Sequence, residues 1–353
     1  MSLNSMLKET WSRRFGLAIL LTPLSWLFCI LVFLRRLYQC KLAPNSPLNV
    51  PVIVIGNISV GGTGKTPLVA AIALWLKEQG YNPGIVSRGY GGKSSRYPLL
   101  VAINSLPSTV GDEPLLLAKE FPVVVDPDRY RAANFLLENT NCDLILSDDG
   151  LQHYRLPRDI EIAVVDGKNK FGNGRCLPAG PLREPVRRLK QVDFVLTNTG
   201  GHHVPDRGKS SKICPLENSA CFYVKPIHLR HLSSGKICPV EVDAEFVFRI
   251  KNWSLGRNIY AVAGIGSPQG FADTLRNVGL DPLLHSYPDH HNFNGKEFIF
   301  KNDWPVIITA KDAVKCLDLI NDKIWVLDVK AIPDQFFLEK ILEQLSELRS
   351  SDN

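Results

Sequence analysis

The chain has 353 residues, 45% of them hydrophobic and 22% charged, which allows a sizeable core and either two domains or one large one. The net charge of +6 is spread along the chain, which argues against nucleic acid as a partner and suits a membrane surface or an anionic substrate. Eight widely spaced cysteines with no Cys-x-x-Cys pair indicate neither a zinc site nor a disulfide framework, and read as reduced thiols.

Residues 16–34 carry no charge. As a helix they would reach about 28 Å, close to the roughly 30 Å hydrocarbon core of a bilayer. Arg13 and Arg14 precede the run, Arg35, Arg36 and Lys41 follow it, and Trp11 and Tyr38 stand where interfacial aromatics would. No small-residue cleavage site follows, so the segment reads as retained rather than as a signal peptide. Cations on both sides and Pro23 leave two arrangements open, a spanning anchor or a helix lying in the interface, with a buried soluble helix as the bland alternative. Residues 1–42 are expected to form this N-terminal membrane anchor.

Next comes an apolar strand at Val52–Ile55, and then Ser59-Val60-Gly61-Gly62-Thr63-Gly64-Lys65-Thr66, most of a P-loop. Glycines let backbone N–H groups approach phosphate oxygens, Lys65 supplies a charge toward the β- and γ-phosphates, and the Thr66 hydroxyl suits Mg²⁺. Pro67 opens a helix through Glu78 whose positive end points at the same phosphates. Ser59 departs from the full pattern, which has Gly there.

Strand-like runs then alternate with helical ones: strand 82–87, the loop Arg88-Gly-Tyr-Gly-Gly92, helix 115–120, strand 122–125, helix 130–138, and strands 143–146, 160–165 and 193–196. This pattern predicts an α/β fold with a mostly parallel, P-loop NTPase-like sheet and helices on both faces. Residues 43–230 are expected to form this core, with a polar surface excursion at 200–220. Residues 231–353 are expected to form a smaller C-terminal α/β domain with linker strands. Its expected elements are strands at 222–229 and 245–250 around a turn at 233–235, strand 259–263, turn 264–266, helix 271–278, strands 306–309 and 324–327, and a final amphipathic helix over 335–348.

Several loops carry chemistry-bearing residues. Leu144-Ile-Leu-Ser-Asp148-Asp149 is an apolar strand ending in carboxylates, the Walker B arrangement that holds Mg²⁺ beside the P-loop. Asp148 is the better metal candidate by position, and Asp149 binds a second site or orients a partner. Asp112-Glu113 precedes a helix, where such residues serve equally as cap and first-turn charges or as catalytic carboxylates. Asp289-His290-His291 lies in a Pro-bearing loop, either as surface residues or in proton transfer. The loop Pro178–Pro185 bears Arg183 and Glu184, and reads alone as a rigid surface turn.

Together these segments resemble the tetraacyldisaccharide 4′-kinases (lipid A 4′-kinases) of Gram-negative bacteria. The resemblance rests on Gly56-Asn57, Val60–Pro67, Ser87–Gly92, Gly111–Pro114, Asp126, Asp128-Arg129, Asp148–Gln152, Pro178–Pro185, Ala263–Gly266, Pro288–His290 and Lys311–Lys315, in order along residues 10–330. It implies an ATP- and Mg²⁺-dependent kinase acting on the 4′-hydroxyl of tetraacyldisaccharide 1-phosphate, a membrane lipid. The product is lipid IVA, and the work is done at the cytoplasmic face of the bacterial inner membrane with no protein partner implied. It makes Asp112 the catalytic base with His290 as its dyad partner and Lys65 in support. It also makes Asn57, Arg88, Glu113, Gln152, Arg183 and Glu184 candidates for substrate contact. The family tolerates Ser59, whereas Ala310 stands where it has Glu.

Three other readings compete. A positioning ATPase of the deviant P-loop kind places Lys where this chain has Val60; a GTPase needs Asn-Lys-x-Asp, absent around Thr197–Gly200; a membrane protein with a vestigial P-loop would transfer no phosphate.

Overall fold

The computed structural model describes residues 10–11, 16–43, 48–200, 218–242, 248–316 and 322–351. Its strands are β1 (Val52–Gly56), β2 (Pro83–Ser87), β3 (Leu99–Leu100), β4 (Val123–Val125), β5 (Leu144–Asp148), β6 (Ile160–Asp166), β7 (Phe194–Asn198), β8 (Ser219–His231), β9 (Ile237–Val242), β10 (Phe248–Ile250), β11 (Asn258–Ala263), β12 (Asp281–Ser286), β13 (Val306–Thr309) and β14 (Ile324–Pro333). Among the described residues they form one sheet, in the order β12-β11-β13-β14-β8-β7-β6-β1-β5-β2-β4-β3, with β9 on the side of β8 and β10 beyond it.

β1 is buried along its whole length because both faces of the sheet are covered. On one face, Leu68, Ile72 and Leu76 of helix Lys65–Glu78 pack with Phe337, Ile341 and Leu345 of helix Gln335–Ser351. On the other, Ala132, Ala133 and Leu136 of helix Arg129–Asn139 share a cluster with β1, and Phe28 and Cys29 pack against it. The final helix therefore returns to the P-loop half, and β8 runs across the expected division at residues 230–231.

Register explains where a ligand can bind. β7 pairs in parallel with the first residues of β8, Ser219–Phe222. β14 runs antiparallel to β8, with Trp325 opposite His231 and Pro333 opposite Phe222. β13 lies parallel to β14 at Ile324–Leu327, opposite the far end of β8. The strands of the two halves thus run toward each other, and their carboxyl ends meet across the β8–β14 ribbon. Parallel sheets bind ligands at carboxyl ends, so here two such edges face one cleft.

The N-terminal segment corrects one expectation. Among the described residues no helix is long and apolar enough to cross a membrane. Helix Thr22–Lys41 instead docks along the P-loop half. Ser25 Oγ donates to Cys176 O at 2.8 Å, Arg36 Nη1 donates to Gln191 Oε1 at 2.8 Å, and Tyr154 N donates to Gln39 Oε1 at 3.3 Å. A helix tied down on one side cannot be ringed by lipid. Its other side presents Leu24, Trp26, Leu27, Ile30, Leu31 and Leu34, each more than half exposed. Trp11 does not face outward, since its indole N–H donates to Pro178 O at 3.0 Å, whereas Tyr38 is exposed. Arg13 and Arg14, Glu245 and most of the 200–220 excursion lie outside the described residues.

Candidate active site

The P-loop leaves β1 and reaches helix Lys65–Glu78 through two glycines at positive φ, Gly61 at 123° and Gly64 at 84°. A Cβ at Gly64 would stand 2.7 Å from Asn198 Nδ2, which donates to Thr63 O at 3.1 Å, so glycine is required for that close approach. The loop Pro178–Pro185 lies along the other side of the P-loop. Val60 N donates to Pro181 O at 2.8 Å, and Arg183 N donates to Ile58 O at 2.7 Å. This backing holds the P-loop amides in place for an anion.

Ile55 of β1 pairs with Asp148 of β5, which sets the Walker B carboxylate beside the P-loop. Burial pushes the Asp148 carboxyl up to about 7, and the charges of Glu113 and Asp149 push the same way. For Asp149 burial also pushes upward, but the charges of Lys65 and Arg183 win and hold it down at about 2. Lys65 Nζ is 3.4 Å from Asp149 Oδ1, and Arg183 Nη1 donates to Asp149 Oδ2 at 2.9 Å. Asp148 Oδ1 is buried with no hydrogen-bond partner. An orphaned carboxylate oxygen of raised proton affinity, close enough to feel the charge of Lys65, fits a hard divalent cation bound by oxygen. No group of three or more His, Cys, Asp or Glu that could hold a metal occurs among the described residues, so Thr66 and phosphate oxygens would have to complete such a site.

Asp112 starts helix Asp112–Leu117, just after Gly111 at φ 90°. The Arg88–Gly92 loop packs backbone to backbone behind it: a Cβ at Gly92 would stand 2.5 Å from Gly111 N. His290 arrives from the other half of the sheet, in the loop after β12, with φ 62° and its N–H donating to Gly264 O at 3.1 Å. Its Nδ1 lies 3.1 Å from Asp112 Oδ2. The turn after β11 also reaches the P-loop, since a Cβ at Gly266 would stand 3.1 Å from Gly62 N. P-loop, Walker B end and Asp112–His290 pair therefore surround one cleft.

The remaining candidates fall into two groups. Arg88 is exposed at the end of β2, and Glu113 faces the second half of the sheet through Lys311, at 3.1 Å. Gln152 and Glu184 are bonded to each other at 2.7 Å, and Gln152 Nε2 also donates to Asn57 O at 3.0 Å. Glu184 further accepts from Tyr154 Oη at 2.6 Å, which makes this group a brace beneath the P-loop. Asn57 is fully buried with both side-chain amide atoms unpartnered.

Sequence reasoning missed Lys311 and Lys315. Lys315 Nζ lies 3.7 Å from Asp112 Oδ2 and donates to Asp312 Oδ1 at 2.7 Å. Their signal was present as Lys311-Asp-Ala-Val-Lys315, two lysines four residues apart after a strand, and only the fold places them beside Asp112. Ala310 begins the short helix Ala310–Ala313 and packs against the aromatic cluster of the C-terminal half.

The chain is similar to known proteins along nearly its whole length. The family model described as tetraacyldisaccharide-1-P 4′-kinase, LpxK, matches residues 17–346. The tetraacyldisaccharide 4′-kinase of Methylobacillus flagellatus is 43% identical, covering 99% of both chains. That of Alkalilimnicola ehrlichii is 45% identical over 94% of each. The crystal structure of LpxK from Aquifex aeolicus in complex with ATP superposes with a TM-score of 0.71 at 27% identity, over 94% of this chain and 99% of that one. The P-loop is thus that of a kinase, not of a positioning ATPase, a GTPase or a vestigial loop. By its sequence along nearly its whole length and by its fold, this chain belongs to the tetraacyldisaccharide 4′-kinase family.

Proposed function

We propose that the chain moves the γ-phosphoryl group of ATP to the 4′-hydroxyl of tetraacyldisaccharide 1-phosphate, forming lipid IVA in lipid A biosynthesis, with Asp112 as the proton acceptor. The observation that carries this reading is the Asp112–His290 pair, held over the P-loop from both halves of the sheet. A sugar hydroxyl loses its proton far above neutral pH, so it attacks phosphorus only as a carboxylate takes that proton. Phosphoryl transfer otherwise needs positioning and charge neutralisation. The amides of Gly61–Gly64 and the ammonium of Lys65 bind the phosphates, while Val60 N–H ties the loop to Pro181 O. Thr66 and Asp148 would hold Mg²⁺, which would supply further positive charge for phosphoryl transfer, and Arg183 keeps Asp149 ionised beside Lys65. Closing the cleft between the two halves would exclude water and limit ATP hydrolysis.

The N-terminal helix suits a lipid substrate. Its apolar side lies in the interface, with Arg35 and Lys41 near anionic headgroups. The need for ATP supports a place for the cleft at the cytoplasmic face of the inner membrane, where nucleotide and acyl disaccharide meet. Transfer of ³²P from labelled ATP to purified tetraacyldisaccharide 1-phosphate, in detergent micelles with Mg²⁺, tests the reading. Labelled lipid is expected, and ATP turnover without labelled lipid would contradict it.

A further inference from the structure

Lys311 stands where the two halves of the molecule meet. Its Nζ lies 3.2 Å from His290 Nε2 and 3.1 Å from both Glu113 Oε1 and Asp289 Oδ1. The geometry points to Lys311 as a positioning residue that fixes His290 in the Nδ1–H form, so that His290 donates to Asp112 and leaves the carboxylate free to take the substrate's proton. This inference rests on the reaction proposed above.

Donors and acceptors around Lys311 balance one for one. An ammonium has three N–H groups and no lone pair. Glu113, Asp289 and His290 Nε2 are three acceptors for three hydrogens. Nε2 must then present its lone pair, the ring hydrogen must sit on Nδ1, and the 3.1 Å contact with Asp112 Oδ2 runs from His290 to the carboxylate. Lys311 stays charged in this place: burial works against the charge, but the Glu113 and Asp289 carboxylates raise its proton affinity above the ordinary lysine value. Lys315 adds a second ammonium 3.7 Å from Asp112 Oδ2. Two ammonium groups thus stand beside the His290–Asp112 pair, Lys311 on the His290 side and Lys315 on the Asp112 side.

The assignment also fixes the path of the proton. As the bond from O4′ to the γ-phosphorus forms, the hydroxyl proton passes to Asp112. The bond from that phosphorus to the bridging oxygen breaks, and its electron pair stays on the β-phosphate of ADP. His290 does not carry the proton onward, because Nδ1 already bears hydrogen and Nε2 is capped by Lys311. The proton stays on Asp112 until the phosphorylated lipid leaves.

The test is ¹⁵N NMR of histidine-labelled full-length protein in detergent micelles. The chain has eight histidines, and His290→Gln identifies the relevant signal by removing it. The wild type is expected to show a protonated Nδ1 and a lone-pair Nε2. Lys311→Met is expected to shift the hydrogen to Nε2 and to lower kcat roughly tenfold to a hundredfold, with KM for ATP changed by less than about twofold. Lys311→Arg keeps a cationic donor and should retain the Nδ1–H form and most of kcat. A wild-type His290 in the Nε2–H form would overturn the assignment, as would a Lys311→Met protein that loses kcat with its tautomer unchanged. If Lys311→Met does not fold, the wild-type and Lys311→Arg spectra decide the matter. If the tautomer is as expected but Asp112→Asn turns over normally, the proposed base falls while the role of Lys311 in setting the tautomer stands.

Discussion

Asp148 and Asp149 are neighbours in sequence with opposite proton affinities, and the charges around them explain the difference. Asp149 turns outward at φ 51° to meet Lys65 and Arg183, while Asp148 stays inside the sheet. The same reasoning gives a stability prediction for His153. Burial first, and then the charges of Arg129, Arg35 and Arg88, push its imidazole from 6.5 down to about 3. The unfolded chain therefore binds a proton in that interval that the folded chain refuses, and stability must fall as pH falls through it. His153→Asn should show a smaller drop in Tm than the wild type between about pH 7 and pH 5; parallel curves would contradict the assignment. Arg188 is a second case. It is buried and donates through Nη2 to both oxygens of Glu161, at 2.6 and 2.8 Å, in a group that also includes Tyr154. Arg188→Met leaves the buried Glu161 carboxylate with Arg158 alone, at 2.6 Å, and should cost about 2 kcal/mol in denaturant unfolding. Gln152 and Glu184 show what sequence could not tell at this scale. The resemblance makes both candidates for substrate contact, and it does not reveal that Gln152 donates to Glu184 and to Asn57 O, beneath the loop.

Elements were most legible where periodicity was strong. The strand before the P-loop, the helix after it and the Walker B strand lie where the sequence puts them, within a few residues. β9 and β12 went unread: Ile237–Val242 contains Pro239, and Asp281–Ser286 opens on Asp-Pro, so local propensity is poor and pairing with β8 and β11 supplies the order. Asp112 proved to be the first residue of its helix, three residues before the expected start, because Gly111 allows the sharp entry. That entry is fragile. Gly92→Ala would drive a Cβ to 2.5 Å from Gly111 N, against backbone that cannot yield easily, and should lower both Tm and kcat. Unchanged values for both would show that the loop is not held as described. The N-terminal run was legible as an apolar helix, but its docking was not, because no sequence pattern reveals that Ser25 meets Cys176. Leu27 and Leu31 are 53% and 56% exposed on the free side. Replacing both with Glu should weaken binding to anionic vesicles by about tenfold or more while leaving Tm in detergent unchanged. Unaltered partitioning in a flotation assay would remove the helix from the membrane contact.

At the scale of the whole molecule, the two halves share a sheet through β8 and β14, and the last helix packs back beneath the P-loop. The linear division near residue 231 was the natural reading of a second α/β pattern; the return of Phe337 and Ile341 to the first core is long-range packing with no local signature. Because the strands of the two halves point at each other, the kinase cleft is completed by loops more than a hundred residues apart, with Asp112 and His290 separated by 178 positions. On the proposed mechanism these two side chains act as one unit. A double-mutant cycle on kcat for lipid phosphorylation, with Asp112→Asn, His290→Asn and the pair, tests it most directly. Asp112→Asn is expected to lower kcat by roughly 10²–10⁴-fold with little change in KM for ATP, and adding His290→Asn should cost almost nothing more. Losses that simply multiply, or an Asp112→Asn enzyme near full speed, would contradict it.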